Sequence, residues 1–104
     1  MTSKDVLIGA KAALLDRGWY QGDYCQNFDG SGPVCLYGAL RVGAGHCPLE
    51  RIVNNDAGYS LMVALECINP FIGGAATIAQ YNDNPKRTLN QVLTVLDLAI
   101  SSYK

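Results

Sequence analysis

The sequence predicts a mostly α-helical, compact single domain: a bundle of four to five helices with a long ordered loop near residues 19–32. Three local signals lead there. Thr88 is followed three residues later by Gln91, and Thr2 by Asp5; each pair is the start signal in which a hydroxyl caps the first turn and a longer polar side chain reaches back. Pro33 is suited to the first turn of a helix, where its missing N–H costs nothing, and helical spacing follows it.

After Thr2, Val6, Leu7, Ala10, Ala13 and Leu14 form a helical stripe that runs to Arg17-Gly18, so the first helix is expected over about 3–17. From Trp19 to Pro33 the aromatic residues Trp19, Tyr20, Tyr24 and Phe28 are separated by Gly, Asp and Asn, the composition of a packed loop with room for a short hairpin. A second helix over about 33–43 presents Cys35, Gly38, Ala39 and Val42, small side chains that allow close approach of a neighbour. A short apolar turn is expected over 49–53. Residues 59–68 carry almost no charge, which predicts a helix buried on more than one side and ended by Asn69-Pro70. The run 71–81 fits a short helix or an extended connection equally well. In the last helix Val92, Leu93, Leu96, Ala99, Ile100 and Tyr103 make the apolar stripe, with Asp97 and Ser101 off it. The second helix and the 59–68 helix are expected at the centre, covered by the first and last.

With 104 residues the chain has the size of one domain with one core. The formal charge is −1, and the eight Lys and Arg residues are scattered, which argues against a nucleic-acid footprint of clustered cations. No apolar run is long enough for a membrane span, and Met1–Asp5 leads into an amphipathic segment in place of a signal-peptide core. A soluble, cytoplasmic protein is therefore expected, with Cys25, Cys35, Cys47 and Cys67 as free thiols. Their spacing lacks the close pairs that preset zinc ligands, no phosphate-binding glycine loop occurs, and no metal or cofactor is expected.

Asn82, Asp83, Arg87 and Thr88 form a polar cluster before the last helix, where free backbone donors and the helix dipole favour an anion. Against that stands a structural role in which Asp83 pairs with Arg87 and the asparagines satisfy loop backbone groups. Cys35 near a helix start and His46, the only histidine, are the one candidate nucleophile and base. Trp19, Tyr20 and Tyr24 form either a lid on the core or an aromatic anchor for another protein.

Gly18-Trp19 with Gln21-Gly22, then Cys35-Leu36-Tyr37-Gly38-Ala39-Leu40, then Tyr81-Asn82-Asp83 with Arg87-Thr88 and Leu96-Asp97-Leu98-Ala99-Ile100 occur in an order that resembles a family of small uncharacterised domains of actinobacteria and their phages. Lys86 stands where that pattern has a glycine after the proline. The resemblance implies an origin and a cytoplasmic setting and assigns no activity. Together these readings favour a non-enzymatic protein that binds another macromolecule, such as a phage product acting on a host protein. Trp19, Gln21, Tyr24, Asn82, Asp83 and Arg87 are its candidate contact residues, a protein is its partner, and a homodimer is compatible with it. The alternatives are a cysteine-dependent hydrolase or transferase using Cys35, and a small-ligand binder using the Asn82–Thr88 loop.

Overall fold

A computed structural model describes residues 2–27, 29–49, 56–72 and 78–102. Among these, helix α1 spans Ser3–Arg17, α2 Leu36–Gly43, α3 Asp56–Ile68, α4 Ile78–Asp83 and α5 Leu89–Ser102, with a 3₁₀ turn over Asn69–Phe71 after α3. Both local start signals are realised. Thr2 Oγ1 accepts the Asp5 N–H at 3.1 Å while the Asp5 carboxylate accepts the Thr2 N–H at 3.0 Å, and those bonds hold the Asp5 carboxyl below its usual range. At α5, Thr88 Oγ1 accepts from Gln91 N at 3.2 Å and Gln91 Oε1 from Thr88 N at 3.1 Å.

The predicted stripe of α1 is buried throughout, and on α5 Val92, Leu96 and Ala99 are buried together with Val95. Leu93 and Ile100 pack against the core from its margin. Phe28, residues 50–53 of the predicted apolar turn, residues 73–77 of the ambiguous segment, and Tyr103 lie outside the described residues.

Three expectations are corrected. Helix α2 begins at Leu36, because Val34 is extended: its N–H donates to Gly18 O and its carbonyl accepts from Tyr20 N, and it bridges both Trp19 and Cys25. With the backbone groups of Val34 committed to the loop, Cys35 becomes the N-cap. The 59–68 segment lies within α3, but this segment is buried on one side only; Leu61, Ala64 and Ile68 face the core while Tyr59 and Met62 are 71% and 54% exposed. The central helix beside α2 is α1, which packs against α2, α3 and α5.

The α1–α2 crossing is close and is made by glycine. A Cβ on Gly9 would stand 2.8 Å from Gly43 Cα, and one on Gly43 would overlap the Val6 carbonyl and lie 2.7 Å from Ala10 N, all backbone atoms that cannot rotate away. Gly38 plays the same role toward the loop, with its missing side chain occupied by the Tyr24 carbonyl.

At an unconstrained helical site Gly→Ala raises stability by about 0.4–1 kcal/mol. Gly43→Ala is expected to do the reverse and cost about 1–3 kcal/mol, the range of core overpacking. Urea unfolding reads the sign directly, and a neutral or stabilised Gly43→Ala variant would show that the helices do not touch here.

Candidate functional site

Helix α4 has six residues, too few to persist by itself, and its C-terminal end is held by side chains from both neighbouring segments. Gln21 Nε2 donates to the carbonyls of Asn82 at 2.9 Å and Asn84 at 2.8 Å, and Arg87 Nε donates to the Tyr81 carbonyl at 2.9 Å. Asn82 and Asp83 are thus the last residues of a helix and not part of a free loop.

The Asn82 side chain is completely buried. Its Oδ1 accepts from the Trp19 indole Nε1 at 2.6 Å and from Leu36 N at 2.9 Å; its Nδ2 donates to the Tyr20 carbonyl and to Asp83 Oδ1, each at 3.0 Å. All four hydrogen-bonding positions of the amide are filled. Leu36 is the first residue of α2, so Asn82 satisfies one of the free donors of that helix from 46 positions away, and the Cys35 sulfur accepts a second, from Gly38 N at 3.3 Å.

Of the six candidate contact residues, Trp19, Gln21, Asn82 and Asp83 therefore meet in one network, which Gly22 N extends by donating to Asp83 Oδ1 at 2.9 Å. Trp19 is half-buried against the core, the lid of the two expected roles. Tyr24 and Asp83 are exposed, and with Asp23, Ala79 and Cys35 they line a cleft of about 260 Å³. Tyr24 is oriented from behind by the buried Arg41, whose guanidinium carbon lies 4.4 Å from the Tyr24 ring centre and 4.8 Å from that of Tyr37, while its Nη1 donates to the Pro48 carbonyl. Nothing in the sequence around Arg41 signals this stack.

Arg87 does not pair with Asp83, as the structural reading of the cluster required. Its guanidinium lies 3.6 Å over the Tyr81 ring and contacts Gln91 Oε1 at 3.4 Å. The ring and the Tyr81 carbonyl lie within reach, and Asp83 is turned to Gly22 and Asn82. Arg87 stands instead at one end of a second groove of about 330 Å³ along the outer face of α5, bordered by Phe71 and Tyr81 and running past Gln91 and Val95 to Leu98. Its α5 side was legible as the i, i+4 series Asn90, Thr94, Leu98 opposite the apolar stripe. Phe71 was not, because it comes from a distant turn.

Cys35 and His46, the candidate nucleophile and base, stand at opposite ends of α2. Cys35 precedes α2 and the His46 N–H binds the Arg41 carbonyl beyond its end, so about 12 Å of helix, at 1.5 Å per residue, separates them. Burial, the largest cause, pushes the Cys35 thiol up from its ordinary range, and the nearby Asp83 and Asp23 carboxylates act in the same direction. The four cysteines are free thiols. Among the described residues no group of three or more His, Cys, Asp or Glu is placed to hold a metal ion, and no helix is long and apolar enough to cross a membrane.

The model of the Family of unknown function (DUF6197) matches residues 1–102, and the chain belongs to that family. No curated protein and no solved structure matches the chain.

Asn82→Asp tests the network. It places a carboxylate oxygen against two acceptors, the Tyr20 carbonyl and Asp83 Oδ1, and at neutral pH is expected to cost about 2–5 kcal/mol. Because those neighbours favour the protonated acid, the introduced carboxyl has a folded pKa above its unfolded value of about 3.9. Stability is then fully present below the unfolded pKa and is lost as pH rises through the folded one. Urea unfolding at neutral pH and at about pH 4 should show the deficit relative to wild type shrinking on acidification. A variant within about 0.5 kcal/mol of wild type at pH 7, the range of surface changes, would contradict the buried amide.

Proposed function

We propose that this member of the family is a non-enzymatic domain that binds another protein through the surface around the C-terminal end of α4. One observation carries the reading: Asp23, Tyr24, Asp83 and Arg87 reach the surface from segments that the buried Asn82 amide and the Gln21 and Arg87 hydrogen bonds hold in fixed orientation. Side chains already ordered before contact lose little entropy on binding, and an exposed tyrosine beside a charged rim is the composition of an interface anchor. The most reactive side chain nearby, Cys35, is buried with its thiol stabilised in the protonated form, which supports binding over nucleophilic catalysis. In the setting that the sequence resemblance implies, an actinobacterium or a phage infecting one, the partner would be a cytoplasmic host protein.

The test has two arms. A partner captured from the source cell is purified and its Kd measured by calorimetry; Tyr24→Ala and Arg87→Ala should each weaken binding by about tenfold or more, while Leu15→Ala, on an exposed part of α1, should not. In parallel, alkylation followed by mass spectrometry should label exposed Cys47 before Cys35 in the native protein. Unchanged affinity in both site variants, or rapid native labelling of Cys35 through a pKa well below the usual value of about 8.5, would refute the proposal.

A further inference from the structure

Among the described residues, the charge at the head of the α5 groove has no acidic partner. Arg87 sits just before α5, where the helix already presents the positive end of its dipole. Among the described residues the one ion pair is Lys11–Asp97, at 2.7 Å, and neither member touches Arg87. Its neighbours are instead the Tyr81 ring and carbonyl and the Gln91 amide oxygen, while the adjacent exposed Lys86 adds a second positive charge. Asp83, the nearest acid in sequence, accepts from Gly22 N and Asn82 Nδ2.

The character of the groove changes along its length. Past Gln91 and Thr94 it becomes apolar, with Val95 as floor, Phe71 as wall and Leu98, 45% exposed, at the far end. From Arg87 to Leu98 the helix rise covers about 16 Å. The groove, of about 330 Å³, follows that length of the helix.

From this charge and shape we infer that the groove receives an extended acidic-apolar segment of a partner protein, with a carboxylate on Arg87 and a large aliphatic side chain against Phe71, Val95 and Leu98. In an extended chain, side chains at i, i+2 and i+4 share a face and span about 13 Å, which matches the polar, mixed and apolar parts of the groove in order. The inference rests on the protein-binding reading above and specifies the chemistry of its partner.

The probe is the peptide acetyl-Glu-Ala-Ser-Ala-Leu-amide, compared with versions carrying Gln or Lys in place of Glu and Ser in place of Leu, titrated into the full chain and followed by amide chemical shifts. The Glu peptide should perturb residues 87–98 and bind about fivefold more tightly than the Gln peptide, the upper range for a partly exposed ion pair. Loss of the leucine should weaken it as well. Arg87→Gln should abolish the preference for Glu over Gln, and Arg87→Lys should retain part of it; because the comparison between peptides is made on wild-type protein too, it survives if a variant folds poorly. Equal binding of the Glu and Gln peptides, tighter binding of the Lys peptide, perturbations confined to the Asp23–Asp83 cleft, or no binding at all would each overturn the inference. If these peptides fail while Arg87→Ala still weakens the captured partner, the partner chemistry is wrong and the protein-binding reading stands; if Tyr24→Ala and Arg87→Ala both leave the partner untouched, that reading falls with it.

Discussion

Four hydrogen bonds converge on the side-chain amide of Asn82, and through them three separate pieces of chain are joined: the 19–22 loop, the first turn of α2 and the end of α4. Their weight follows from burial. Removing the amide would strand a half-buried indole N–H, a helix-terminal backbone N–H and a loop carbonyl, each worth about 1–3 kcal/mol when left without a partner. The Lys11–Asp97 ion pair, about half exposed on both sides, contributes about 0–1 kcal/mol by comparison. In this small fold the buried amide network outweighs the visible charge pair.

The apolar core and this network divide the work. α1 binds α2, α3 and α5 through aliphatic packing and the glycine crossing at Gly9 and Gly43, so that half of the molecule needs no long-range polar contact. To that core α4 adds Ile78 and Tyr81, and the 19–25 loop adds Cys25. Both segments are also attached by hydrogen bonds from Trp19, Gln21 and Asn82 and by the bridges of Val34 to Trp19 and Cys25. The surface proposed to bind a partner is built on this second half. Its side chains are positioned by polar geometry, while the packed helices provide a rigid base.

The sequence made the local features legible and left the long-range ones hidden. Both capping boxes and the stripe of α1 depend on residues three or four apart, and they appear where expected. The small face of α2 correctly announced a close neighbour, although which one could not be read. Asn82 looked like one more turn asparagine, because its partners lie up to 63 positions away and no local period marks them. Arg87 appeared to need Asp83 because a sequence shows charge but not the Tyr81 ring and carbonyl that receive it. The low charge of residues 59–68 suggested burial on more than one side, yet Tyr59 and Met62 face outward, since apolar composition does not say how many neighbours a helix will have. Of the six candidate residues, Trp19, Gln21, Asn82 and Asp83 meet in one hydrogen-bond network, and Tyr24, Asp83 and Arg87 reach the surface beside it.

Native-state hydrogen exchange followed by NMR addresses the central claim most directly, because it reads the protons that Asn82 holds. If the buried amide joins the two halves into one cooperative unit, the Trp19 indole proton and the Leu36 amide proton should exchange as slowly as the core amides of α1 and α5, with a free energy of opening close to that of global unfolding. Rapid exchange of these two protons while the α1 and α5 amides remain protected would show that the α4 end opens independently, and would contradict the account.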